Sequence, residues 1–177
     1  MAEIRVTGGE LRGRRLHVPR RGVRPTTGRV REAIFSMLGS LEGARVLDLF
    51  CGTGALAIEA LSRGARQATL IDTNPAAARR NLESLGLEDR ATALRSDAVR
   101  FLRRAGPGSF DLVLCDPPYR LADRLAAELD PLIRAALAEG GRVMVETSPE
   151  QPLPLDLPLL KEGAYGDTLI QIRGAQR

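Results

Sequence analysis

Four consecutive residues, Asp116-Pro117-Pro118-Tyr119, follow the apolar run Leu112-Val113-Leu114-Cys115. Proline lacks an amide N–H and fixes φ, so two prolines cannot extend a strand and make a rigid corner instead. The carbonyls of such a corner are free. A carboxylate and a fixed carbonyl can together accept both hydrogens of an exocyclic amine. Such an amine is a poor nucleophile, because its lone pair is delocalised into the ring. Two acceptors favour pyramidalisation and aim the lone pair at an electrophilic carbon, by orientation and electrostatics and without a strong base. Tyr119 can stack on the face of an extruded base. Pro-Pro alone equally fits a plain strand-ending turn with a surface tyrosine; the four residues together at a ligand edge are what favour the chemical reading.

A second constellation is Val46-Leu47-Asp48-Leu49-Phe50-Cys51-Gly52-Thr53-Gly54, followed at once by helical spacing at Leu56, Ala57, Ala60 and Leu61. Strand, glycine turn and helix bring backbone to a ligand at the carboxyl edge of an α/β sheet. Gly52-x-Gly54-x-x-Ala57 also matches the dinucleotide fingerprint, with Asp72 as the acid for ribose hydroxyls. Asp48 argues against a dinucleotide: a carboxylate there repels a pyrophosphate and suits a positively charged amino group. S-adenosylmethionine has that amino group, an adenosine and no phosphate, and is the expected ligand. Four apolar runs end near an acid, at Asp48, Asp72, Asp97 and Asp116. Asp97, preceded by Ser96, is open to two roles, a helix N-cap or an acceptor for an adenine amino group.

These groups need a sheet to bring them together. The spacing predicts strands over 45–50, 67–72, 91–95, 110–115 and 142–147, and helices over 55–63, 75–85, 97–104 and 121–138. Leu159–Leu160 and Thr168–Ile172 read as two final strands, antiparallel at an edge. This alternation predicts a doubly wound, mostly parallel α/β sheet of seven strands. Before it, Ile4–Val6 and Leu16–Val18 read as a hairpin with one apolar and one basic face. Thr27 is placed to cap a helix with Val30, Ile34, Met37, Leu38 and Leu41 on one face. The expected division is a basic extension over 1–22 and the main domain over 23–177. The hairpin is expected to lie outside the main fold and to be removable without harm to it.

The 177 residues are 44% hydrophobic and 27% charged, the balance of a soluble globular domain. No window is long and apolar enough for a bilayer, and Met1–Arg5 has no signal-peptide core, so a cytoplasmic location is expected. Cys51 and Cys115 are in no metal spacing and read as buried small hydrophobes; no metal is expected. His17 is the only histidine, which argues against a histidine-based triad. The formal charge is +4, yet residues 1–31 hold nine Arg against Glu3 and Glu10, a net +7 that leaves −3 for the remainder. A cluster of this kind suits a polyanion such as nucleic acid, and equally a solvated basic face.

The motif Leu47–Gly54 followed by Asp116–Tyr119 resembles class I methyltransferases that act on exocyclic amines, a Rossmann-like fold. Gly8-Gly9 with Gly13-Arg14, Arg24-Pro25-Thr26, Arg29-Val30-Arg31-Glu32 and Leu56–Ala65 narrow the resemblance to the RsmD family, bacterial 16S rRNA (guanine-N2)-methyltransferases. It covers nearly the whole chain. It implies S-adenosylmethionine as methyl donor, S-adenosylhomocysteine as product, and one guanine of 16S rRNA, guanine 966, as target. The implied partner is the 30S subunit or a late assembly intermediate, met by a monomer. Carried over by motif, Asp48, Phe50, Gly52, Gly54, Asp72, Asn74, Asp97 and Ala98 surround the donor. Asp116, Pro117, Pro118 and Tyr119 hold the target base. Arg12, Arg14, Arg15, Arg24, Thr26 and Arg29 meet the RNA. The same corner also fits an amino methyltransferase acting on another RNA guanine or on adenine N6 of RNA or DNA.

Overall fold

The central strand, β3 (Arg45–Leu49), is buried along Val46–Leu49 on both faces, as a strand inside a parallel sheet covered by helices must be. The structure, a computed structural model, describes residues 4–19, 26–118 and 122–174, with backbone alone for 122–124. After β1 (Ile4–Arg5), β2 (Arg15–Leu16) and α1 (Gly28–Leu38), the chain alternates. β3 is followed by α2 (Ala55–Ser62), β4 (Gln67–Asp72), α3 (Ala76–Leu85), β5 (Ala91–Arg95), α4 (Ala98–Leu102), β6 (Phe110–Cys115) and α5 (Ala122–Ala136). It then closes with β7 (Leu137–Thr147), β8 (Leu159–Tyr165) and β9 (Thr168–Gly174). Seven strands form one sheet in the order β5-β4-β3-β6-β7-β9-β8. β3 to β7 are parallel, while β9 runs antiparallel between β7 and β8. The expected seven-stranded doubly wound sheet, with its antiparallel pair at one edge, is the sheet observed. Strand order reverses between β3 and β6, which opens a crevice at the carboxyl ends of those two strands.

Two apolar layers cover the sheet. One joins α1, α2 and α3 to the sheet through Ile34, Phe35, Ile58, Leu61 and Leu82. The other joins α4 and α5 through Val99, Leu102, Leu129 and Ile133. Thr27 caps α1 by accepting from the Val30 N–H at 3.4 Å. At the far edge the Arg45 guanidinium and backbone N–H both reach the Asp111 carboxylate, tying the starts of β3 and β6. Among the described residues no helix is long and apolar enough to cross a membrane.

The hairpin β1–β2 is a separate two-stranded sheet, but it does not lie outside the fold. Ile4, Val6 and Leu16 are buried in the same apolar layer as α1 and α2. Its turn also answers a buried charge. Glu59 on α2 is fully buried and accepts from the Thr7 N–H at 2.9 Å, the Thr7 hydroxyl at 2.7 Å and the Gly8 N–H at 2.8 Å. Removing the hairpin would take three hydrogen bonds from that carboxylate, leaving it Arg63 and Arg31, and would expose the apolar layer, which argues against harmless removal. The sequence pattern showed the basic face of the ribbon; the acid that its backbone satisfies lies some fifty positions away.

Candidate active site

At the carboxyl edge β3 ends in a bend at Phe50, whose φ of 61° is the one positive value for a non-glycine among the described residues. Such a conformation is strained for an L-residue and concentrates at functional sites. The two glycines that follow have different reasons to be glycine. A Cβ on Gly54, with φ of 77°, would come within 2.8 Å of Leu70 and 3.3 Å of Ala78, so this residue lets α2 start close against β4 and α3. A Cβ on Gly52 would meet nothing within 4 Å, so this residue faces open space, and its φ of 52° is what favours glycine. From behind, Asn81 on α3 holds the turn: its amide donates to the Thr53 carbonyl and also pairs with the His17 backbone of the hairpin.

Three N–H groups of this turn and of the helix start are already taken. The Gly52 N–H donates to Asp72 Oδ2 at 2.9 Å, the Gly54 N–H to the Cys51 carbonyl at 2.7 Å, and the Ala57 N–H to Asp48 Oδ2 at 3.1 Å. A pyrophosphate bound at a glycine turn needs these amides and the positive end of the helix. Here Asp72 holds one turn amide and Asp48 one amide of the helix start, and both acids repel a phosphate. Asp48 is buried, and burial, only partly offset by the Ala57 amide, raises its carboxyl to about 7. Asp72, at the end of β4, also accepts from the Asn74 N–H at 2.8 Å, and its oxygens keep lone pairs for hydroxyl donors. Asp97 caps α4 by accepting from the Arg100 N–H at 3.1 Å, with Ala98 buried behind it and Asn74 exposed. The cap role for Asp97 is thus present; one of its oxygens remains for a ligand.

Across the crevice, β6 ends at Cys115 and the chain turns at Asp116-Pro117-Pro118. Pro117 is buried, Pro118 exposed and Asp116 half-buried. No described residue donates a hydrogen bond to the Asp116 carboxylate. Burial holds its pKa well above the usual carboxylate range, and the neighbouring charges of Glu146 and Asp48 push the same way. Cys51 and Cys115 are buried beside these acids, and burial pushes both thiols up. Tyr119 and Arg24 lie outside the described residues.

Glu146 is the residue that sequence reasoning missed. It ends the apolar run Val143-Met144-Val145 on β7, the pattern already used to pick out Asp48, Asp72, Asp97 and Asp116, and that signal could have found it. It is buried, and burial raises its carboxyl even though the Thr26 hydroxyl donates to Oε2 at 2.8 Å and Arg31 lies near. The Arg31 guanidinium, buried beneath, donates to the Thr26 carbonyl at 2.6 Å and stands 3.8 Å from Glu59. A chain of polar contacts therefore runs from the hairpin through Glu59, Arg31 and Thr26 to the crevice.

Among the described residues, those nominated to bind RNA are spread over the molecule. Thr26 is at the crevice, and Arg29 is exposed on α1. Arg14 and Arg15 are exposed along the ribbon, and Arg12 is at its turn. That turn packs on the last residue of α2, where the Glu10 N–H meets the Ser62 carbonyl at 2.8 Å. α2 starts at the carboxyl edge and ends at the opposite one, about 12 Å away for an eight-residue helix, so the turn that carries Arg12 packs at the end away from the carboxylates. Two open grooves at that opposite edge, around Glu42 and Gly43, contain none of the nominated residues.

The strand order, the glycine turn and the acidic corner define a class I methyltransferase fold. Residues 4–173 match the family described as Conserved hypothetical protein 95. The chain belongs to this family, the RsmD family. It is 39% identical over 158 residues to ribosomal RNA small subunit methyltransferase D of Escherichia coli (strain K12), covering 86% of this chain and 78% of that protein. It is 37% identical over 180 residues to YlbH of Bacillus subtilis (strain 168), covering 96% and 97%. Its fold superposes on the solved yhhF protein of Escherichia coli with a TM-score of 0.82 at 38% identity, covering 99% of this chain and all of the other.

Proposed function

We propose that the chain is a methyltransferase that modifies small-subunit ribosomal RNA, using S-adenosylmethionine to methylate the exocyclic N2 of one guanine, guanine 966. The observation that carries the reading is the crevice itself. On one side the Gly52 and Ala57 amides are bonded to Asp72 and Asp48, two acids that repel a phosphate. On the other side an acid with no donor among the described residues precedes two prolines. The name of the Escherichia coli relative supports the rRNA part.

When bound, S-adenosylmethionine supplies an electrophilic methyl on sulfur and leaves as S-adenosylhomocysteine. The residues present fit it. Asp48 lies where a cationic amino group offsets its burial, and Asp72 presents two oxygens for ribose hydroxyls. Phe50 and Gly52 shape the wall between them, and Asp97 stands at the adenine end. Asp116 and the Pro117 carbonyl accept the hydrogens of the target amine, turning its lone pair away from the ring. Tyr119 stacks on the base. After transfer the amine must lose a proton, and the Asp116 carboxylate can accept it. Arg14, Arg15, Arg24 and Arg29 supply phosphate contacts, which position the RNA without reading its sequence. The substrate is 16S rRNA in the 30S subunit or a late assembly intermediate, and the enzyme acts as a cytoplasmic monomer.

Mass spectrometry of 16S rRNA nucleosides from a strain lacking the gene, with and without the gene restored, tests this reading. N2-methylguanosine at the target should disappear in the deletion and return on complementation with the wild-type gene. An unchanged modification profile overturns it.

A further inference from the structure

We propose that Glu146 reads the target base: its carboxylate accepts the N1–H of guanine while Asp116 accepts from the adjacent N2 amine, so the pair selects guanine over adenine. The inference rests on the guanine-N2 reading above. β6 and β7 are parallel neighbours with Cys115 opposite Val145, which makes Asp116 and Glu146 the next residue on each strand. Neighbouring strands are about 4.8 Å apart, so the two carboxylates open side by side onto one edge of the crevice.

Glu146 is 5% exposed, yet the Thr26 hydroxyl is the one described donor it receives, and only on Oε2. A buried carboxylate usually accepts several hydrogen bonds, so this one has capacity left for a ligand donor. Guanine offers two adjacent donors on its Watson–Crick edge, N1–H and the N2 amine. Adenine offers its amine beside a bare N1 lone pair, which a carboxylate repels. Extruded bases are read along this edge. Thr26 fixes the carboxylate, and Arg31, bonded to the Thr26 carbonyl, fixes Thr26. A site built to pair a buried polar group rejects a ligand that leaves it unpaired far better than a shape-only site can.

Reconstituted small subunits carrying either guanosine or 2-aminopurine at the target position test the proposal. 2-Aminopurine keeps the amine at C2 but has no N1–H. The wild-type protein should form N2-methylguanosine and prefer guanosine in kcat/KM by about 10- to 100-fold, the scale of one charge-assisted hydrogen bond. Glu146→Gln can donate an amide N–H to the bare N1, so it should lose about 10-fold on guanosine and bring the ratio near one. Glu146→Asp should keep the preference for guanosine at lower kcat/KM. Calorimetry with S-adenosylhomocysteine should show donor-site affinity within about twofold in every variant. A wild-type ratio near one overturns the proposal without any variant. Equal losses on both substrates in Glu146→Gln make Glu146 structural and overturn it as well. Absence of N2-methylguanosine from the wild-type reaction instead overturns the functional reading beneath it.

Discussion

The two sides of the crevice treat their acids differently. On the β3–β5 side every carboxylate already holds a backbone amide: Asp48 that of Ala57, Asp72 those of Gly52 and Asn74, Asp97 that of Arg100. On the β6–β7 side Asp116 holds no described donor, and Glu146 holds one hydroxyl. An acid bonded to backbone shapes the loop whether or not a ligand is present. An acid without a donor is complete only when a ligand brings one. The first side is therefore a preformed seat, and the second a pair of acceptors kept for the substrate amine and its neighbour.

The largest expected effect sharpens the exception on the preformed side. One amide does not offset the burial of Asp48, whose carboxyl is raised from 3.8 to about 7. A folded-state pKa above the unfolded one stabilises below the unfolded value, and that contribution is lost as pH rises through the folded value. The ligand-free protein should thus lose up to about 4 kcal/mol from this group between about pH 4 and pH 7. Asp116 and Glu146, also raised, add losses of the same sign. Denaturant unfolding at a series of pH values should show a flatter profile for Asp48→Asn than for the wild type. An identical profile would mean that Asp48 ionises freely in the fold.

Next in size is Asp116→Ala. Losing an acceptor aimed at the reacting amine should cut kcat/KM about 100- to 1,000-fold, about 3–4 kcal/mol. Because Asp116 supports no described backbone amide and its raised pKa costs stability near neutral pH, thermal stability should not fall and S-adenosylhomocysteine affinity should hardly change. A matching fall in affinity, read by calorimetry, breaks the division between the two sides.

The smallest effect belongs to Asp72→Ala. It should weaken binding of S-adenosylmethionine by roughly 1–3 kcal/mol, because ribose hydroxyls and the Gly52 and Asn74 amides all lose an acceptor. Turnover at saturating donor should stay close to wild type, since Asp72 touches no reacting group. A drop in kcat with unchanged donor affinity would move Asp72 to the substrate side.

Most elements were legible because their signals are local. Apolar runs of strand length, glycines and prolines as punctuation, and helical spacing on α1 and α5 lie within a few residues of one another. The same locality exposed Asp48, Asp72 and Asp116. It also kept both roles of Asp97 open, and the structure shows the cap.

Sequence alone determined the parallel sheet, the edge on which its strand ends gather, and the corner at Asp116-Pro117-Pro118, since period, breakers and the missing proline N–H act within one segment. Tertiary structure decided the rest, because hydrogen bonds and burial join residues far apart in the chain. It put Gly54 under Leu70 and Ala78 and gave the turn amides to Asp48 and Asp72. It made the hairpin the partner of buried Glu59 and set Arg12 at the far edge from the acids. It also brought Glu146 beside Asp116, a neighbour set by strand register across thirty residues, for which spacing along the chain carries no signal.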